Sequence, residues 1–129
     1  MGMDQTITLA AAPAWSAVRE LLARSGLAVQ MRMIDGQLAF PDEEPSETWR
    51  ELRVAVAGGA MVTVRREPDG VRCVTWGNAD EAARQAWNAL AWAFAEAGGG
   101  AVQTPQGPLD AATYRRQAEL PEALRGQSP

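Results

Sequence analysis

From Leu52 to Trp76 the chain alternates apolar and polar residues and is broken twice by turn chemistry, at Gly58-Gly59 and at Pro68-Asp69-Gly70. Such alternation calls for a half-buried antiparallel sheet, because successive side chains of a strand point to opposite faces. The turns argue a register. A three-residue loop, Gly58 to Ala60, pairs Val56 with Val62 and Val54 with Val64, and it supplies glycine for a bulge. A three-residue turn, Pro68 to Gly70, pairs Val64 with Val74 and Val62 with Trp76. One face then collects Val54, Val56, Val62, Val64, Val74 and Trp76. That face needs an apolar layer laid upon it.

Two segments can supply the layer. Pro13 to Ser25 reads as a helix with proline in its first turn and Ala14, Val18, Leu21 and Leu22 on one side. Gly26 is placed to stop it in a left-handed conformation, with Leu27 folding back. Asn78 to Gly98 reads as a second helix, capped by Asn78 and buried along Ala83, Ala86, Trp87, Leu90, Ala91 and Phe94. Thr6 to Ala10 reads as a short first strand. Leu27 to Phe40 reads as a hairpin about Asp35-Gly36, pairing Ile34 with Gln37, Met33 with Leu38, and Met31 with Phe40. This puts Leu27, Val29, Met31, Met33, Leu38 and Phe40 on one apolar face.

Pro41 to Thr48 is an acidic loop, and the Thr48–Glu51 spacing allows a helical turn near Trp49. Past the second helix, Ala101 to Thr104 reads as an edge strand, Leu109 to Leu120 as a short helix, and Pro121 to Pro129 as loose. The predicted fold is α+β: a two-layer sandwich whose antiparallel sheet of five to six strands carries two amphipathic helices on one face. Residues 1–104 form the domain and 105–129 a C-terminal extension. The order β-α-β-β-β-β-β-α is similar to that of TATA-binding-protein-like and helix-grip domains, a likeness of layout alone, and such layouts host many functions.

Composition narrows the chemistry. All 12 basic residues are arginines, and histidine and lysine are absent. That excludes histidine acid–base chemistry, Ser-His-Asp triads, P-loops and Schiff bases. The single cysteine, Cys73, excludes an internal disulfide or a multi-thiolate metal centre. No catalytic residue, cofactor or metal site is predicted. A net charge of −4 weighs against generic nucleic-acid binding. The missing lysines, with abundant alanine, glycine and arginine, point to GC-rich bacterial coding. No run approaches the roughly 18 apolar residues a membrane span needs, and the early Asp4 with the short Ile7–Ala12 run argues against a secretory signal. A cytoplasmic location is expected.

Four features are candidates for function. The first is the open sheet face, expected to expose Gln30, Arg32, Gln37, Arg53, Met61, Thr63, Arg65, Cys73 and Thr75, with Arg53 beside Arg65 and no acid among them. It reads as a groove for an anionic ligand on Arg32, Arg53, Arg65, Thr63, Thr75 and Cys73, or as a solvated face balanced by neighbouring glutamates. The second is Trp92, which lies opposite the buried stripe of its helix among Gln85, Asn88 and Glu96. It is either a partner contact or lies under a folded-back C-terminal segment, touching Leu109 or Tyr114. The third is Cys73 as a reactive thiol near Arg65. The fourth is the cluster Asp42, Glu43, Glu44 and Glu47, whose spacing matches no calcium loop.

The leading expectation is a non-catalytic binding or regulatory adaptor acting as a homodimer or with a protein partner. Secretion chaperones and toxin-neutralising immunity proteins share this small acidic α+β character. The alternative is an anionic-ligand-binding domain that uses the arginine face.

Overall fold

The computed structural model describes residues 3–56, 60–75, 81–118, 120, 121 and 124. In chain order these form β1 (Met3–Thr8), α1 (Trp15–Arg24), β2 (Val29–Ile34), β3 (Gln37–Leu38), β4 (Glu51–Val56), β5 (Ala60–Glu67), β6 (Gly70–Thr75), α2 (Glu81–Gly98), β7 (Ala101–Thr104), β8 (Gly107–Asp110) and α3 (Ala111–Gln117). All eight strands join one antiparallel sheet in the order β3-β2-β4-β5-β6-β1-β7-β8. The helices form a layer on one face, with α2 over β5, β6, β1 and β7 and packed against both α1 and α3. The α+β class stands; the sheet is wider than predicted, and a third helix joins the layer.

Local chemistry makes several of these elements. Asp35 and Gly36 adopt positive φ values of 50° and 82°, and their turn pairs Ile34 with Gln37 and Met33 with Leu38. Gly26, at φ 84°, ends α1. There the Gly26 N–H donates to the Ala23 carbonyl at 3.0 Å and the Leu27 N–H to the Leu22 carbonyl at 2.9 Å, so the last turn's carbonyls are satisfied. Helix α1 buries Trp15, Val18 and Leu22. Helix α2 buries Ala86 and then every residue from Ala89 to Ala95. A helix apolar on all sides must be enclosed, and α2 is, by the sheet below and a helix on each flank. At its C-terminal end Phe94 meets Trp15 and Trp49, with ring centroids 6.3 and 6.4 Å apart.

Three registers differ from the sequence reading. Between β4 and β5, Val54 faces Val62 and Leu52 faces Val64, so the pairing is two residues tighter while the valines keep their face. Between β5 and β6, Thr63 faces Val74, Val64 faces Cys73, and Glu67 faces Gly70. That loop has two residues, not three, and the one-residue change turns β6 over. Val71, Cys73 and Thr75 point toward the helices; Arg72 and Val74 point away. Gly70 is the reason. It is no turn residue but the first residue of β6, at φ 153°, where a Cβ would collide with the Ile7 carbonyl of β1. The third difference is a bulge in β2: Met31 faces Val54, but Met33 faces Arg53. The extra residue, Arg32, carries Met33 and its partner Leu38 to the open face. Met31 does not pair with Phe40; its N–H donates to the Pro41 carbonyl at 2.9 Å. The Val62–Trp76 pairing and the Asn78 cap fall outside the described residues.

At the C-terminal end, Leu109 belongs to β8, and Asp110 caps α3 by accepting from the Thr113 N–H at 2.8 Å. Ala111, Tyr114, Leu120 and Leu124 are buried in the same core as the rest of the chain. No described helix is long and apolar enough to cross a membrane.

Candidate functional site

The open face carries Arg53, Arg65, Thr63, Gln30 and Met61, as expected from their positions on β2, β4 and β5. Acids share it. Arg65 faces Glu51 across the strands, and its Nε donates to Glu51 Oε1 at 2.9 Å. Arg72 lies 3.0 Å from Glu67 and 3.8 Å from Asp4. The expected Arg53–Arg65 pair does not form, because the tighter register sets Arg53 against Thr63. Arg32 sits at the bulge and donates to Gln30 Oε1 at 3.2 Å. The floor between these long side chains is Ala55, Thr63 and Val74, all nearly buried. Arg65 and Arg72 lie directly opposite each other across β5 and β6, and the acids beside them, Glu51, Glu67 and Asp4, offset that like-charge pair over a small, closed floor.

Cys73 and Thr75 are not on this face. The turned-over β6 places both beneath the helices, so their assignment to an exposed groove is corrected. Cys73 is fully buried, and loss of hydration pushes its thiol up to about 12 from the ordinary 9.0. A protonated, enclosed thiol is no nucleophile. The Thr75 hydroxyl is buried with no hydrogen-bond partner among the described residues.

One turn before Trp92, Asn88 reaches from the same side of α2 to Gln5 of β1; that side is enclosed, and Trp92 itself is only 4% exposed. Arg115 of α3 lies over its ring at 5.2 Å and donates from Nη2 to the Leu124 carbonyl at 2.8 Å. Beside it, the Tyr114 hydroxyl donates to Gln5 Oε1 at 2.7 Å and lies 2.9 Å from Asn88 Oδ1, which accepts from Gln5 Nε2 at 2.8 Å. Asn88 thus joins β1, α2 and α3 internally, while Gln85 donates outside to Glu81 at 3.2 Å. Trp92, Gln85 and Asn88 do not share one exposed surface.

The acidic loop is used piecemeal. Glu44 accepts from the Ser16 N–H at 3.1 Å, capping an α1 whose own N-cap, Ala14, has no side chain to do so. Glu43 accepts from the Phe40 N–H at 3.1 Å. No group of three or more metal-ligating side chains occurs among the described residues.

Two places emerge that sequence reasoning missed. The first is the outer edge of the sheet at β3, where Leu38 is 89% exposed and Phe40 75%. Their exposure follows from the bulge, which no local signal announces. The second is a cavity of about 290 Å³ between the start of α1 and the acidic loop, lined by Pro13, Trp15, Pro45, Glu47, Trp49 and Arg66 among others. The signal for it was legible: in the consecutive pair Arg65-Arg66 of a strand, one arginine must point to the helix side. Arg66 does so, with its guanidinium 4.5 Å from the centre of the Trp49 ring and its Nε buried without a hydrogen-bond partner.

No protein family, curated protein or solved structure matches this chain.

Proposed function

We propose that this chain is a non-catalytic binding protein of the bacterial cytoplasm that works as a homodimer joined at its β3 edge. The observation that carries this reading is the exposure of Leu38 and Phe40, at 89% and 75%. Large apolar side chains held in water on a sheet edge mark an interaction surface. The edge does not invite strand addition. The Phe40 N–H is taken by the Glu43 carboxylate at 3.1 Å, and β3 is only two residues long. What it offers is side chains. Met33, opposite Leu38, extends the patch, and both signs of charge flank it: Arg53 lies across from Met33, and the carboxylate of Asp42 follows Phe40. A two-fold copy can set one sign against the other while the apolar pair packs at the axis.

Magnitude decides how firm such a dimer is. The two copies together bury four such side chains, Leu38 and Phe40 from each, at about 1.5–3 kcal/mol apiece, against an association cost of about 4–15 kcal/mol. A concentration-dependent, weak dimer is therefore expected. The non-catalytic part of the reading is supported by the absence of histidine and lysine and by the enclosure of the one thiol. The open face as an anion groove lacks such support, since Arg65 and Arg72 already face Glu51 and Glu67.

The test is sedimentation equilibrium of the native chain and of Leu38→Asp with Phe40→Ser. Both residues are exposed, so the substitutions leave folding intact. Concentration-dependent dimerisation abolished in the double variant is the expected result. A monomer at every concentration, or a dimer indifferent to the substitutions, rejects the reading.

A further inference from the structure

Arg66 differs from Arg65 and Arg72, its strand neighbour and that neighbour's cross-strand partner, which are both matched with acids. It projects from β5 toward the helix side, beside the connection from β1 to α1. Its guanidinium rests on the Trp49 indole, and among the described residues it makes no hydrogen bond and no ion pair. Carboxylates are close at hand. Glu67 is engaged by Arg72 at 3.0 Å and Glu44 by the Ser16 N–H at 3.1 Å. Glu47 has no partner among the described residues, lines the same cavity, and does not pair with Arg66. The buried Nε is closed to a ligand, but the terminal nitrogens of the same guanidinium are not, and no carboxylate of the chain pairs with them among the described residues. A bound acceptor in the cavity would meet those nitrogens.

The walls say what size and charge it has. The cavity holds about 290 Å³, at the lower end of the range for small-ligand sites; that suits an amino acid and is small for a nucleotide. A second recess of about 250 Å³ lies under Leu9 to Ala12, and Arg66 and Ala12 line both spaces. One arginine with Glu44 and Glu47 gives the main cavity a negative balance, which disfavours a multiply charged anion such as phosphate. The apolar walls, Pro13 and Pro45 with the edges of Trp15 and Trp49, suit a short hydrocarbon group. The guanidinium already lies 4.5 Å from the centre of the Trp49 ring, so part of its side-chain freedom is spent before anything binds.

We infer that this cavity binds a small zwitterion, an α-amino acid or a close analogue, with its carboxylate on Arg66, its ammonium on Glu47 and its side chain between Pro13 and Pro45. The inference is independent of the dimer, since it uses none of the β3 residues.

Thermal shift and titration calorimetry test it on the full chain. The probes are the standard L-amino acids one at a time at about 10 mM, above the millimolar affinity expected of so small a ligand, with their N-acetyl and carboxamide derivatives and inorganic phosphate. At least one free amino acid is expected to stabilise the protein, while both of its blocked derivatives and phosphate do not. Glu47→Gln, at an exposed position, and Arg66→Gln are each expected to weaken that binding roughly 10- to 100-fold. Should Arg66→Gln unfold the chain, Glu47→Gln and the blocked derivatives still decide the matter. Stabilisation by no amino acid, equal binding of the N-acetyl form, stronger binding of phosphate, or unaltered binding in Glu47→Gln overturns the inference.

Discussion

Asp35 does two things with one side chain. It takes the left-handed corner of the β2–β3 turn at φ 50°, and its Oδ1 accepts from the Arg50 and Glu51 N–H groups at 2.7 and 2.9 Å. These two backbone donors, first Glu51 and then Arg50, hold its carboxyl below the usual range. Asp35→Ala is expected to lower stability by about 1 kcal/mol, a figure kept small because the site faces solvent. A group with a lowered pKa contributes above its ordinary range and ceases to as pH falls. Urea titrations of the two proteins should therefore differ most near neutrality, and the gap should narrow as pH falls below the ordinary carboxylate range, leaving the pH-independent cost of alanine at φ 50°. Cys73 has the opposite sign. Its raised thiol pKa favours the folded state fully below 9.0, and that advantage is lost as pH climbs toward about 12. Cys73→Ala is expected to flatten the alkaline loss of stability, read by unfolding experiments across that window. In the native chain, a maleimide should label Cys73 only after denaturant is added; labelling at the rate of a free thiol would show that the strand is not enclosed.

At the scale of elements, α3 is held by a buried polar knot as much as by packing. Tyr114→Phe leaves Gln5 Oε1 without its donor while the Gln5–Asn88 bond at 2.8 Å persists. A loss of about 1–3 kcal/mol is expected, with faster hydrogen exchange confined to α3 and β8. If exchange rises evenly over the whole chain, the knot is not what fixes α3. The elements also show what a sequence can disclose. The Asp35-Gly36 turn and the Gly26 stop were legible because each is written within a few residues; the α2 stripe was read too narrowly, since Ala89, Trp92, Ala93 and Ala95 are buried as well. The β2 bulge and the length of the β5–β6 loop were not legible, since a one-residue alternative satisfies the same turn chemistry and reverses every side chain beyond it. Gly70 misled for a physical reason: its missing Cβ serves the approach of a strand more than sixty residues earlier. Among the candidate sites, the wheel set Trp92 among Gln85, Asn88 and Glu96 but did not show that this side is enclosed. Its cover, Arg115 and α3, rests on tertiary docking. The inward direction of Arg66 is readable from strand parity, but its stacking on Trp49 depends on the tertiary placement of the acidic loop.

For the molecule as a whole, the governing feature is where β1 sits. It is an interior strand, paired with β6 on one side and β7 on the other. Removing residues 1–8 should therefore abolish the cooperative unfolding transition, whereas removing β3, an edge, should leave one. A calorimetric scan of both deletions distinguishes them, and a chain that melts cooperatively without β1 would contradict the topology. The position has a consequence for synthesis. Ile7 is made 64 positions before its β6 partner Val71 and 95 before its β7 partner Val102, lags of roughly 3–13 s and 5–20 s at about 5–20 residues per second. Between the two the nascent protein carries β1 as an open sheet edge, and its vulnerability to chaperone capture or clumping is set by translation speed more than by the strength of the native state.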